Sequence, residues 1–128
     1  MRYCLDVVSV VQMNLDLVTL TGENHAIISP ANLEGALARP LHGFGGVEVF
    51  PTLPQKAGAL LDGLAQGHAF EQGNKRTAWN AAVTFLGING LQLQYVPDDE
   101  AADFVLDVVE HRRDAQSAAL WFVDHIAF

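Results

Sequence analysis

The chain has 128 residues, half of them hydrophobic, with 15 acidic and 7 basic side chains and a formal net charge of −8. The hydrophobic content excludes a disordered acidic tail, and the length is typical of one domain, expected over residues 1–128. The excess of acids argues against free nucleic acid as a partner; it favours a basic protein, or simply serves solubility.

The sequence predicts a cytoplasmic protein. Its one cysteine, Cys4, excludes a disulfide within the chain and favours a reducing compartment. No run of about 18 apolar residues is present that could span a membrane. Asp6 interrupts the apolar core that a signal peptide would need.

The N-terminal part of the chain predicts two helices. Residues 5–20 are rich in β-branched residues, which favour a strand, but their apolar spacing also fits a helix ending before Gly22. We assign the helix. Its expected apolar face consists of Val7, Val11, Leu15 and Val18. Residues 30–38 suit a short helix with Ser29 as the N-cap.

Residues 39–54 are rich in glycine and proline. Within them, Val47, Glu48, Val49 and Phe50 can form a short extended segment, because the flanking glycines and prolines oppose a helix. An exposed segment of this kind can pair with a strand of a partner protein. A mobile surface loop is an equally good interpretation of the composition.

Two amphipathic helices are predicted next. Residues 53–66 repeat apolar side chains every three or four positions, and Gly67 follows as a C-cap. Residues 74–89 carry alanines on their apolar face, so another helix can approach closely, and this helix is expected to be central. Gly90 ends it.

The C-terminal part predicts a short extended segment over residues 91–96 and two further helices. The first opens with three acids at its positive end, after Pro97. The second covers about residues 115–126. Its expected inward face consists of Ala119, Leu120, Phe122, Val123 and Ile126. The whole pattern predicts a compact all-α bundle of five to six helices.

The loop before the helix at 74–89 carries the best candidate site. Gly73 lets backbone amides approach a ligand, and Lys75 and Arg76 add two positive charges at the helix start. This combination suits an anion, most often a polyphosphate. His68 at the other end of the loop can exchange a proton near neutral pH, and Phe70 is expected to anchor the loop. The alternative is a surface His68 and an Asn74 that only caps the helix.

The segment His68-x-Phe70-x-x-Gly73-Asn74-Lys75-Arg76-Thr77-Ala78 resembles the signature of the Fic/Doc superfamily. Lys75, where Fic proteins usually have a second glycine, is similar to the Doc (death-on-curing) toxin branch. The resemblance covers about positions 5–95. It includes Leu33-Glu34-Gly35-Ala36-Leu37-Ala38-Arg39-Pro40, Phe44-Gly45-Gly46, Phe50-Pro51-Thr52 and Lys56-Ala57.

The resemblance implies a Fic/Doc-like bundle with a short extended flap and a kinase-like toxin. His68 would be the base that deprotonates a hydroxyl of a target protein. Gly73, Asn74 and Arg76, with Lys75 beside them, would bind the phosphates of ATP with Mg²⁺. Doc-type proteins are understood to transfer the γ-phosphate to a threonine of elongation factor Tu, which blocks translation.

The resemblance also implies two protein partners. The flap, with Val47, Glu48 and Val49, would dock the target segment by strand pairing. A cognate Phd-like antitoxin would cover the active-site groove with its C-terminal segment. No membrane partner is implied.

Two positions depart from the family pattern. Gln72 stands where the family has the Asp or Glu that holds Mg²⁺, and a neutral amide is a weak Mg²⁺ ligand; Glu71 is the available substitute. Trp79 stands where Fic enzymes that transfer AMP have a second arginine, which argues against an AMP transferase. Gln72 leaves open a second hypothesis, a catalytically weak or inactive Fic-fold binding module.

Overall fold

The computed structural model describes residues 3–128, which form six α-helices and one two-stranded sheet. The predicted all-α bundle of five to six helices with a short extended flap is confirmed. The elements are α1 (Val7–Leu20), α2 (Pro30–Ala38), a 3₁₀ helix (Arg39–Leu41), β1 (Gly43–Phe44), β2 (Val47–Glu48), α3 (Leu53–Gln66), α4 (Asn74–Ile88), α5 (Asp98–Val109) and α6 (Ala115–Asp124).

Side-chain caps determine where several helices begin. The Asp6 carboxylate accepts a hydrogen bond from Ser9 N at 2.8 Å, which starts α1 in spite of its β-branched residues. Ser29 caps α2 as predicted, accepting from Asn32 N at 3.2 Å. Thr52 forms a reciprocal capping box with Gln55 at the start of α3.

Helix α3 lies at the centre of the bundle. It packs against α2, α4, α5 and α6, while α4 packs against α1, α3 and α5. Gly58 allows the close contact with α6, since a Cβ at this position would lie 2.5 Å from the Ala115 carbonyl oxygen. None of the helices in residues 3–128 is both long and apolar enough to cross a lipid bilayer.

The faces of two helices differ from the prediction. In α1 the buried residues are Val10, Asn14 and Val18, whereas Val7 and Leu15 are each 38% exposed. The polar Asn14 belongs to the buried face because hydrogen bonds satisfy its amide. Of the four residues predicted for this face, Val18 is buried and Val11 packs against the core, whereas the prediction is wrong for Val7 and Leu15.

In α6 the predicted inward residues Leu120 and Val123 are 59% and 45% exposed. Trp121 is buried instead, and its ring stacks on Phe104 of α5 with the centroids 4.0 Å apart. This aromatic contact decides which face of α6 turns inward.

The extended segment predicted at 91–96 is reduced to a single bridge between Leu93 and Ile126.

The flap is a small hairpin. Gly43 pairs with Glu48 and Phe44 with Val47, and the turn between them consists of Gly45 and Gly46 at φ of 58° and 81°. Left-handed backbone at both turn positions is the geometry that joins two strands most tightly, and glycine adopts it at little cost. Ordered strand structure ends at Glu48, short of the predicted Phe50.

Lys56 of α3 attaches the flap to the core. Its side chain is fully buried, and Nζ donates to the carbonyl oxygens of Pro40 and Phe50 at 3.0 and 2.7 Å. It also pairs with the Glu48 carboxylate at 3.1 Å. Glu48 therefore faces the protein, whereas Val47 and Val49 are exposed.

We expect Lys56→Met to lower the free energy of unfolding by about 3 kcal/mol, because the Pro40 and Phe50 carbonyls and the Glu48 carboxylate lose their shared donor. Urea denaturation measures the effect. Lys75→Met is the control, since Lys75 is exposed and makes no ion pair within residues 3–128, and it should change stability by less than about 0.5 kcal/mol. Equal effects of the two substitutions would contradict the anchoring role of Lys56.

Candidate functional site

The candidate site lies on the loop that joins α3 to α4. α3 ends at Gln66 with Gly67 as its C-cap, and His68 then adopts a left-handed backbone conformation at φ 47° with an exposed side chain. The loop next pairs with residues 26–29: Ile28 N and Ser29 N donate to the Ala69 carbonyl oxygen at 2.7 and 3.1 Å, and Glu71 N donates to Ala26 O at 2.9 Å. This pairing holds the loop in a single conformation against the segment that follows α1.

Phe70 and Asn74 close the loop on itself. Phe70 is 2% exposed, as expected for an anchor. Phe70 N donates to Asn74 Oδ1 at 3.0 Å, and Asn74 Nδ2 donates back to the Phe70 carbonyl oxygen at 2.8 Å. Gly73, at φ 76°, is the N-cap of α4, so the idea that Asn74 caps the helix is wrong. The Asn74 side chain therefore holds the loop, while its backbone N–H has no acceptor within residues 3–128.

The first turn of α4 presents a set of unpaired donors. The first backbone hydrogen bond at this end runs from Thr77 N to Gly73 O at 2.9 Å. Within residues 3–128, the N–H groups of Gly73, Asn74, Lys75 and Arg76 have no intrachain acceptor. No acidic residue occupies this turn, and Lys75 is exposed. The unpaired N–H groups, the helix dipole and the Lys75 charge together suit an anion.

Arg76 has an acidic partner in this structure. Its Nη2 pairs with the Glu23 carboxylate, and its Nη1 donates to Thr21 Oγ1 at 3.2 Å. The Thr21 hydroxyl also donates to Glu23. The Thr21 hydroxyl first, and Arg76 second, hold the pKa of the Glu23 carboxyl below its ordinary value of 4.5. A phosphate that binds Arg76 at this position competes with the Glu23 carboxylate.

Two recesses border the loop. A groove of about 530 Å³ lies between α1, α4 and α5, and a shallower recess of about 480 Å³ lies between α2 and α3. Lys75, Arg76 and Trp79 line the first, and His68 lines the second. The structure therefore places the predicted base and the predicted cationic residues at opposite ends of one loop, in different recesses. The flap residues Val47, Glu48 and Val49 line neither.

Two neighbouring loop residues, Gln72 and Glu71, stand at the positions predicted for a Mg²⁺ ligand. Gln72 and Glu71 are both exposed, and Glu71 is attached to Ala26 only through its backbone. In residues 3–128, no group of three or more His, Cys, Asp or Glu side chains is arranged to hold a metal ion. Gln72 offers a neutral oxygen where a hard dication prefers a carboxylate.

Three residues of the site carried no recognised sequence signal. Thr21 and Glu23 are more than 50 residues away from Arg76 along the chain, and no local pattern links them. Asn14 donates from Nδ2 to the Gln72 carbonyl oxygen at 2.8 Å, directly beneath the loop. The one available signal was a polar residue four positions after Val10 and four before Val18, within an apolar helix face.

Comparison with known proteins gives two findings. A sequence model of the Fic/DOC family matches residues 5–86, a range that contains α1–α3, the flap, the loop and most of α4. The toxin Doc of Mycolicibacterium smegmatis is 49% identical over 88 residues, which cover 68% of this chain and 68% of that protein.

The pKa of Glu23 gives a direct test of the contacts around Arg76. Because the folded pKa lies below 4.5, the stabilisation from Glu23 is complete above that pH and is lost as the pH falls through the folded pKa. We expect Thr21→Val to raise the pKa of Glu23 towards 4.5, measured by ¹³C NMR titration of the carboxyl. Thr19→Val, which removes an exposed hydroxyl bonded only to Leu15 O, should leave it unchanged. An unchanged Glu23 pKa in Thr21→Val would refute the assigned cause.

Proposed function

The chain belongs to the Fic/DOC family, and on this basis we propose that it is a Doc-type toxin. Proteins of this family are typically transferases. The finer proposal is that the chain transfers the γ-phosphoryl group of ATP to a hydroxyl of a target protein and thereby inhibits translation. The observation that supports it best is the start of α4, where the four N–H groups of residues 73–76 have no acceptor within residues 3–128 and two cationic side chains follow Gly73.

The phosphates of ATP would lie against the first turn of α4. Gly73 contributes no side chain that would block their approach, and the N–H groups of residues 73–76 supply donors of fixed direction. Lys75, which makes no ion pair within residues 3–128, adds a full charge. Arg76 also binds the phosphates when their oxygens replace the Glu23 carboxylate as the partner of its guanidinium group.

His68 would act as the base. Its exposed side chain makes no hydrogen bond within residues 3–128, so both ring nitrogens are open to a substrate. The imidazole takes the proton of the target hydroxyl while the hydroxyl oxygen forms a bond to the γ-phosphorus. The bond between the γ-phosphorus and the bridging oxygen breaks, and ADP leaves with the electron pair.

The partners would be proteins. Each strand of a two-stranded hairpin has an open edge, and Phe44, Val47 and Val49 are 88%, 70% and 57% exposed on the flap. An extended segment of the target, in elongation factor Tu or a similar translation factor, would pair with one open edge of this hairpin. A Phd-like antitoxin would block the groove that Lys75 and Arg76 line.

The second candidate is a catalytically weak binding module on the same fold. The observation that favours it is Gln72, which brings no charge for a metal ion beside the phosphate site. AMP transfer has less support, because Trp79 replaces the second arginine. The Trp79 ring packs among Phe104, Trp121 and Phe122 instead of offering a charge.

Labelled ATP distinguishes these functions. We expect the protein to transfer label from [γ-³²P]ATP, and not from [α-³²P]ATP, to a protein of a bacterial translation extract. His68→Ala should slow the transfer by about 10²–10⁴-fold, because the general base is lost. His111→Ala is a matched control, since His111 is also exposed and has a positive φ, of 61°.

Each other outcome has a definite meaning. Transfer of the α-label would identify an AMP transferase. Transfer that persists in His68→Ala would exclude base catalysis by this residue. ATP binding without transfer of either label would favour the binding module.

A second prediction concerns the metal. Gln72→Asp should make ATP binding stronger in the presence of Mg²⁺, because a carboxylate then stands beside the phosphates. Calorimetric titration of ATP with and without Mg²⁺ measures this, and Gln116→Asp, an exposed position on α6, controls for the added charge. A wild-type protein that already shows the full Mg²⁺ dependence would mean that another group, such as Glu71, compensates for Gln72.

A further inference from the structure

Asn14 is a fully buried amide in the middle of α1, and its nitrogen is directed at the candidate loop and the first turns of α4. Nδ2 donates to the Gln72 carbonyl oxygen at 2.8 Å and to Thr77 Oγ1 at 3.1 Å. Oδ1 lies 2.9 Å from Nδ1 of His25. Burial of an amide is costly unless it is hydrogen-bonded, and here both N–H groups and the oxygen are used.

The orientation of this amide is set by its partners. The Gln72 carbonyl oxygen can only accept, so the NH₂ group of Asn14 must face it. The Asn14 oxygen then faces His25, which must donate from Nδ1. Neutral His25 therefore carries its proton on Nδ1, and protonation of the ring leaves this hydrogen bond in place.

The contact with Gln72 also determines the direction of the next donor. The chain has no cis peptide bond in residues 3–128, so the carbonyl of Gln72 and the N–H of Gly73 point in opposite directions across one planar peptide. Because Asn14 draws the carbonyl inward, the Gly73 N–H is directed away from α1, as the first of the unpaired donors before α4.

The backbone at Gly73 is also pressed against α1. A Cβ at Gly73 would lie 2.9 Å from Val18 Cγ1 and 3.2 Å from Asn14 Nδ2, and its φ of 76° suits glycine. No side chain fits between the loop and α1 at this position. The hydrogen bond from Asn14 to the Gln72 carbonyl opposes rotation of the peptide between Gln72 and Gly73.

We propose that Asn14 is a positioning residue for phosphate binding: through the Gln72 carbonyl it aims the Gly73 N–H at the phosphates. This inference rests on the proposed function, since it assigns Asn14 a role at the same phosphate site. Without the Asn14 side-chain amide, the peptide between Gln72 and Gly73 is free to rotate. The Gly73 N–H then no longer points at the phosphate together with the N–H groups of residues 74–76.

NMR titration of the ¹⁵N-labelled chain with inorganic pyrophosphate tests this role. In the wild type, the Gly73 amide resonance should shift as pyrophosphate binds. Asn14→Ala should weaken pyrophosphate binding about tenfold, the equivalent of one directed hydrogen bond, and abolish most of the Gly73 shift. Val10→Ala is the matched control, because Val10 is equally buried one turn earlier on α1 and is not hydrogen-bonded to the loop. It should lower stability but keep wild-type affinity.

The outcomes separate this inference from the proposed function. If Asn14→Ala keeps both wild-type affinity and the Gly73 shift, the positioning role is overturned while phosphate binding stands. If Val10→Ala weakens binding as much as Asn14→Ala does, the effect is one of stability, which also overturns the role. A wild-type chain that binds neither pyrophosphate nor ATP overturns both proposals.

A measurement on the wild type serves if Asn14→Ala does not fold. Long-range ¹H–¹⁵N spectra above neutral pH report which ring nitrogen of His25 carries the proton. The Nδ1–H tautomer is expected, since only it donates to the Asn14 oxygen. The Nε2–H tautomer would show that the amide is not oriented towards Gln72 and would overturn the inference.

Discussion

The need to satisfy polar groups beneath it determines the shape of the loop between α3 and α4. The carbonyl of the buried Ala69 accepts from two N–H groups of residues 28 and 29, and the Gln72 carbonyl accepts from the buried Asn14 amide. Because a buried polar group without a partner is costly, these contacts favour one conformation of the loop. The same conformation turns the remaining N–H groups outward. The hydrogen bonds on the inner side of the loop therefore also determine the direction of its exposed N–H groups.

Charge at the site is only partly compensated. Arg76 pairs with Glu23, whereas Lys75 is exposed, and the position beside Gly73 holds the neutral Gln72. In a chain with a net charge of −8, Lys75 is therefore a cation with no ion pair within residues 3–128 at the start of α4, and Asp98 lines the same groove. An anion that binds there interacts directly with the helix dipole and with Lys75. It interacts with Arg76 only if it displaces the Glu23 carboxylate. Glu23 thus sets how strongly Arg76 contributes.

The flap follows a different principle. Its two strands are too short to be stable alone, and a buried cation connects them to the core. Lys56 gathers the Pro40 and Phe50 carbonyls and the Glu48 carboxylate around one ammonium group. Lys56 thereby holds the hairpin in place, so its exposed apolar residues have a fixed position relative to the core. A flap held in this way can offer an edge to a partner strand without losing its own shape.

The helices, their order and the motif loop could be predicted from the sequence alone, because caps such as Ser29 and the glycine and proline breaks act over a few residues. The sequence also identified His68, Phe70 and residues 73–76 as candidates, since all of them lie in one short segment. Which groups contact that segment depends on the packing of distant parts of the chain. Asn14 reaches Gln72 across 58 positions and Glu23 reaches Arg76 across 53, and Trp121 turns inward because it stacks on Phe104 of another helix. Such contacts depend on how helices pack, and hydrogen bonds and ring stacking between distant residues leave no periodic trace in the chain.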